Sequence, residues 1–262
     1  MGRIVIVILG GGTLLLMIYA AVSVLVWGIG AEGTPDLRPL STGHLLGTDP
    51  SGRDWLRALA IAGLADAATV VLAVTFCLSL ACLLGCLAGA GWRFLEPILR
   101  CVGTGSVLLL VIVGLAVIDA HGLRPTEPSG MSTVMVLLLG LAAVGEPAFR
   151  IAQVTAAERV TPHYRGAVEL GFSPLACFLR HALPAIGLEL RVAMYRATVS
   201  IAVALLTLRF LMPEGGAASL GNLIAFEASR FDPDRWWNLA NPVAVTVLGL
   251  MALCLLAEGR RR

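Results

Sequence analysis

Six ionisable side chains stand in or beside otherwise apolar sequence: Asp66, Glu96, Asp119, Glu189, Arg196 and Arg209. A charge costs most where water is excluded, so these are the first candidates for function. Glu189 and Arg196 lie seven residues apart, on one helix face, and with Arg209 they are candidates to line a polar path. Arg196 fits two roles, lining such a path or reaching back to lipid headgroups, whereas Arg191 fits snorkelling. Other chemistry is sparse. All 19 basic residues are arginine, which excludes Schiff-base catalysis and the P-loop, whose lysine reaches the β/γ-phosphates. If the protein uses ATP, another chain must hydrolyse it. The four histidines, His44, His121, His163 and His181, have no zinc-site spacing, and the six cysteines show no C-x-x-C pair. "GIGAEG" (28–33) fits G-x-G-x-x-G on paper but follows an apolar run rather than a strand that opens a helix. Neither a Ser/His/Asp set nor a carboxylate pair of defined spacing is present. No catalytic residue, metal site or cofactor is expected in this chain.

The elements that hold these charges are membrane helices. A hydrophobic fraction of 58%, only 14% charged residues and a mean hydropathy of +0.87 lie outside the soluble globular range. The net charge of +2, scattered rather than gathered in a stripe, gives no case for nucleic acid. The expected class is all-α, a polytopic membrane helix bundle with spans near 4–27, 66–90, 98–118, 132–149, 185–210 and 239–257. The fifth is the least apolar, because Glu189, Arg191 and Arg196 leave a clean run only from Ala197 to Leu208. The first apolar run is too long for a cleaved signal core and reads as a retained span. Residues 1–30 then form the first transmembrane helix, 31–65 an outer loop with an amphipathic helix, and 66–262 the core, containing a loop at 150–184. Twelve arginines fall on the side of the N-terminus and seven on the other: Arg38, Arg53, Arg57, Arg124, Arg209, Arg230 and Arg235. The positive-inside rule therefore puts both ends in the cytoplasm. No internal sequence repeat is visible, which weakens the inverted-repeat design of many secondary transporters.

Within that loop, "TPHYRGAVELGFSPLACFLRHALP" (161–184) is the most punctuated stretch. Thr161 before Pro162 signals a helix start, an N-cap acceptor followed by proline at the first helical position. Gly171 suits the left-handed residue that stops the helix. Ser173 before Pro174 repeats the start signal, and the second short helix is predicted to end before Pro184. A helix, a glycine corner and a helix would project Leu170, Phe172 and Leu175 as a knob, with Arg165 and Glu169 beside it. Two readings fit this composition: a hairpin lying in the headgroups, or a peg that enters a groove on a cytoplasmic partner. In the outer loop, Asp49 before Pro50 predicts another helix start, with Arg53, Asp54 and Arg57 on polar positions and Trp55, Leu56 and Leu59 facing protein or lipid. That helix fits either an interfacial role or part of the surface beneath an extracytoplasmic partner.

"GAVELGFSPLACFLRHALP" resembles the cytoplasmic-loop signature of ABC importer permeases, the binding-protein-dependent inner-membrane components. Gly166 and Ala167 match its small pair, Gly171 its glycine, and Leu183 with Pro184 its end. "HLLGTDPSGRDWL" is similar to the first-outer-loop motif of dipeptide, oligopeptide and nickel permeases, through His44, Gly47, Thr48, Asp49, Gly52, Arg53 and Asp54. That motif marks the second of their two paired permease types. "RHALP" and "WWNLANP" fit the same branch, and the resemblance covers about residues 40–260. It implies a type I ABC importer permease of about six spans in a bacterial cytoplasmic membrane. The partners implied are a second permease, two ATPase domains that bind ATP and Mg, and a substrate-binding protein. The cargo implied is di- or oligopeptides, with nickel chelates, haem or another small molecule as alternatives. The segment from Arg165 to Leu175, closed by Pro184, would be the coupling element on the ATPase. Arg165 stands where many members of the family have glutamate, a variation common in the peptide-importer branch. Two features depart from that branch: "RFLMPEGG" replaces a phenylalanine-leucine-glycine-leucine-glycine run, and Leu220-Gly221 replaces a tryptophan-glycine pair. The N-terminal cytoplasmic extension common in the branch is almost absent. An ion-coupled carrier and a membrane enzyme are the competing classes; the first requires intramembrane charges and no ATPase.

Overall fold

The computed structural model describes residues 35, 46–50, 52–92, 94–120, 128–212 and 219–258. The predicted span at 4–27, the 1–30 segment, His44 and the rest of 36–45 in the 31–65 loop lie outside the described residues. The chain is all-helical, with no strand among the described residues. In order the helices are α1 (Trp55–Gly89), α2 (Leu95–Thr104), α3 (Val107–Ala120), α4 (Pro128–Ala142), α5 (Gly145–Arg159), α6 (Pro162–Glu169), α7 (Pro174–Cys177), a π-helical turn (Phe178–Ala182), α8 (Leu183–Leu211), α9 (Leu220–Ser229), a 3-10 turn (Pro233–Arg235) and α10 (Trp237–Glu258).

Three of these, α1, α8 and the Trp237–Cys254 part of α10, are long and apolar enough to cross a membrane. Two bent pairs bring the total to five if each is one span: Leu95–Gly103 with Val107–Val117, bent by 100°, and Thr133–Ala142 with Gly145–Arg159, bent by 45°. The stretches predicted as straight spans at 98–118 and 132–149 are thus bent helix pairs, broken at Gly105–Ser106 and at Ala143–Val144. The hydroxyls follow the same solvent logic. Thr69, Thr75, Ser79, Thr198 and Thr207 each donate to the carbonyl four residues back, at 2.7–3.0 Å, which satisfies the hydroxyl without water. Large apolar side chains such as Val71, Leu72, Leu83 and Leu109 are exposed along these helices, as lipid contact requires.

Two compact units divide the chain, Val71–Ile201 and a second of Met1–Val70 with Ala202–Arg262. In the first, close helix packing rests on small residues. Gly85 and Gly89, four residues apart on α1, face α5; a Cβ at Gly85 would lie 2.6 Å from the Ala148 carbonyl oxygen, and one at Gly89 2.5 Å from Thr155 Cβ. With lipid on the outside, such backbone approach supplies association that the hydrophobic effect cannot. In the second unit the core gathers Trp55, Leu59, Ala62, Leu220 and Trp237. Trp55 Nε1 donates to Asn238 Oδ1 at 2.8 Å, so the buried indole is satisfied.

Two predicted boundaries are corrected. The outer-loop helix does not start at Pro50 but at Trp55, and it is the first part of α1, which runs unbroken through residue 65. The reason is turn chemistry. Gly47 and Gly52 both take positive φ, 80° and 81°, and residues 48 and 54 pair in a one-bridge hairpin around Asp49. Asp54 is the real cap, accepting from Leu56 N at 2.8 Å. The second boundary is Pro184, which does not end a helix. Its ring would clash with a carbonyl four residues back in a regular α-turn, and the preceding residues widen into the π-turn instead, Leu183 N donating to Phe178 O. The helix passes straight into α8.

Candidate functional site

Two constellations emerge in the Val71–Ile201 unit. The first is the corner between α6 and α7. Thr161 is extended (φ −67°, ψ 147°) with Pro162 at the first helical position, as predicted, but its hydroxyl donates to Glu158 O at 2.6 Å rather than capping α6. At the other end Gly171 has φ +86°. Phe172 N donates to Ala167 O at 3.2 Å and Gly171 N to Val168 O at 3.0 Å, the paired bonds of a Schellman stop. Ser173 Oγ then accepts from Ala176 N at 3.2 Å and caps α7. The corner holds two apolar side chains in the open: Leu170 is 80% exposed and Phe172 50%. Arg165 and Glu169 are exposed beside them, and Val168 extends the apolar edge. Among the described residues, nothing beyond its own helix backbone and chain neighbours lies within 4 Å of a Cβ at Gly166, so packing does not require a small residue there. Ala167 is partly buried. Pro174 opens α7, followed by Leu175. Pro184 is exposed at the second position of α8, where the π-turn passes into the α-helix without a break.

The second constellation is a line of charges. Arg196 Nη1 donates to Glu146 Oε1 at 2.7 Å, and Arg150 Nε donates to the same oxygen at 2.9 Å. Arg150 Nη1 reaches Glu189 Oε1 at 3.5 Å. Glu189 and Arg196 therefore belong to one network, joined through α5 rather than directly. All four side chains are about a quarter to a half exposed, and three of them, Glu146, Arg150 and Arg196, line a cavity of about 240 Å³ beside Ser106 and Ser200. The cavity sits where both bent pairs break. Gly103 and Gly145 meet there backbone to backbone: a Cβ at Gly103 would be 2.8 Å from Glu146 N, and one at Gly145 would collide with Gly103 N. Glu146 and Arg150 were not singled out from the sequence. The signal was local: Gly-Glu-Pro interrupts an apolar run, and Glu146 with Arg150 has the i,i+4 spacing of a helical ion pair.

Glu96 and Asp119 lie on α2 and α3 of the same unit, whereas the outer-loop motif, Arg209 and Asp66 fall in the other one. Gly47, Thr48, Asp49, Gly52, Arg53 and Asp54 form the small hairpin ahead of α1, with Thr48 fully buried, Asp49 Oδ1 accepting from Arg53 N at 2.8 Å, and Trp55 N donating to Gly47 O at 3.1 Å. Arg209 is buried on α8, against α9, where a Cβ at Gly221 would lie 2.7 Å from Arg209 Cβ. It is thus no part of the Glu146 network. Asp66 has a structural role: its Oδ2 accepts from Leu220 N at 2.9 Å and from Ser219 Oγ at 3.2 Å, so the carboxylate caps the start of α9 from another helix. No cluster of three or more His, Cys, Asp or Glu side chains able to hold a metal occurs among the described residues.

This arrangement can present an apolar knob on a fixed corner and hold charge inside a helix bundle. No protein-family model matches the chain, and no curated protein matches it.

Proposed function

We propose that the chain is a transmembrane permease subunit of an ATP-driven ABC importer of type I, with about six spans. It pairs with a second permease to form the path for di- or oligopeptides delivered by a substrate-binding protein. Two ATPase domains bind ATP and Mg and drive alternating access, and this chain supplies path and coupling rather than catalysis. The observation that carries the reading is the α6–α7 corner, a rigid stop that leaves Leu170 and Phe172 exposed together on one tip. A side chain that large and that open needs a cover, either lipid or a groove on a partner. The resemblance of 165–184 to the permease loop favours the groove. A photoreactive amino acid in place of Leu170, in native membranes, tests it. Attachment to a soluble ATPase subunit is expected; attachment to lipid alone would return the hairpin to an interfacial role.

The charge network favours a second reading, an ion-coupled carrier. In that case Glu146→Gln would abolish coupling to the ion gradient, while removal of an ATPase would change nothing. In the importer the order reverses: transport is lost with the ATPase and does not depend on an ion gradient.

A further inference from the structure

Immediately before α10, a second cavity of about 250 Å³ opens on the unit that contains Trp55. Its walls carry four ionisable side chains, Glu227, Arg230, Asp232 and Arg235, two of each sign. Arg230 stands out. Its guanidinium lies 4.2 Å from the centroid of the Phe226 ring, and its side chain makes no hydrogen bond or ion pair among the described residues. Asp232 caps the 3-10 turn by accepting from Asp234 N at 3.0 Å and reaches Arg235 only loosely, at 3.7 Å. Two aromatics of its wall are exposed, Phe226 (46%) and Phe231 (55%), and so is Trp236 (58%), the residue after Arg235 of the wall.

The platform beneath is firm. Asn238, the second residue of α10, accepts the Trp55 indole, and Asn241 Nδ2 donates to Leu46 O at 2.9 Å. The exposed aromatics are therefore held in place on a fixed surface. The next residue, Trp237, begins a helix apolar enough to cross a membrane. Aromatic rings and arginine at the end of a span mark the headgroup level, where rings face the acyl boundary and guanidinium meets phosphate.

We propose that this cavity seats the headgroup of a zwitterionic phospholipid, with its phosphate on Arg230 and its ammonium toward Asp232. The formal charge of the walls decides between lipid classes. Their signs cancel, which suits a headgroup carrying both charges and gives no net attraction to an anionic lipid or to free phosphate. Phe226 stiffens the guanidinium by stacking, so the donor fork is already oriented. Phe231 and Trp236 then pack along the glycerol and upper acyl chain. The assignment does not depend on the transport reading, since it requires only that α10 span the bilayer.

The test is native mass spectrometry of the full chain, released from nanodiscs that contain equal phosphatidylethanolamine and phosphatidylglycerol. Preferential retention of phosphatidylethanolamine is expected. Arg230→Ala should weaken that retention about tenfold, the loss of one charge-assisted hydrogen bond, while Arg230→Lys should keep much of it. Trp236 fluorescence, taken as the difference between the natural chain and Trp236→Phe, should be quenched by lipid brominated high on the acyl chain. Equal retention in Arg230→Ala overturns the site. Preference for phosphatidylglycerol overturns the zwitterionic assignment, and Trp236 that is unquenched by lipid would mean that the patch faces water or a protein partner.

Discussion

Gly171→Val and Gly171→Ala, compared side by side, give a quantitative reading of the corner. Gly171 holds φ +86°, and the space where a Cβ would project is open to beyond 4 Å. A Cβ there meets no steric neighbour among the described residues, so the cost of Gly171→Ala is backbone strain. A left-handed backbone costs an ordinary L-residue roughly 1–2 kcal/mol, and a β-branched residue belongs near the top of the ~1–3 kcal/mol range for such conformations. At about 1.4 kcal/mol per factor of ten, Gly171→Ala should open the corner some 5- to 30-fold more often, and Gly171→Val about 100-fold. The Phe172 amide reports this directly, since it exchanges only when its bond to Ala167 O breaks. Hydrogen exchange at that amide in reconstituted membranes should therefore accelerate in the order natural chain, Ala, Val. Gly166→Ala is the internal control. It lies in ordinary helix with nothing nearby, so it should slow exchange in α6 through a gain of roughly 0.8–1 kcal/mol in helix propensity. Unchanged exchange in both Gly171 variants would refute the left-handed stop.

Three other perturbations test the packing and the charge line. Gly89→Val should lower the thermal unfolding midpoint of the purified protein, because its Cβ would meet Thr155 and the Ala152 carbonyl at 2.5–2.8 Å; overpacking of this kind costs about 1–3 kcal/mol. Asp66→Ala removes the acceptor for Leu220 N and should cost roughly 1–2 kcal/mol, read as faster exchange in the first turn of α9 with α6 unaffected. Glu146→Gln leaves Arg150 and Arg196 together without their shared carboxylate. The group is 45% exposed, so solvent screening holds the loss to about 1 kcal/mol, and Glu146→Gln combined with Arg196→Gln should lose less than the sum of the two single changes.

The corner was legible in the sequence because its signals are local. Proline after Thr161, glycine at 171 and Ser173 before Pro174 each act within one turn, and the structure follows them at all but the Thr161 hydroxyl. Two misread positions failed for a shared reason, that one residue's preference was absorbed by its neighbours. Pro184 would stop a regular helix, but a wider turn upstream accommodates it. Pro50 would start one, but two glycines with positive φ make a hairpin first. Hydropathy gave the membrane helices and was blind to direction, so the breaks at Gly105 and Val144 did not register. The hub role of Glu146 was invisible because its second partner, Arg196, is fifty residues away, and only folding brings them together.

The central claim is that the α6–α7 corner docks on an ATPase. Affinity purification of the chain from native membranes, with and without Leu170→Asp and Phe172→Asp together, tests it most directly when the co-purifying proteins are identified by mass spectrometry. An ABC ATPase and a second permease are expected with the natural chain, and selective loss of the ATPase from the double variant. A chain that purifies alone under gentle conditions, and identically in both forms, would contradict it.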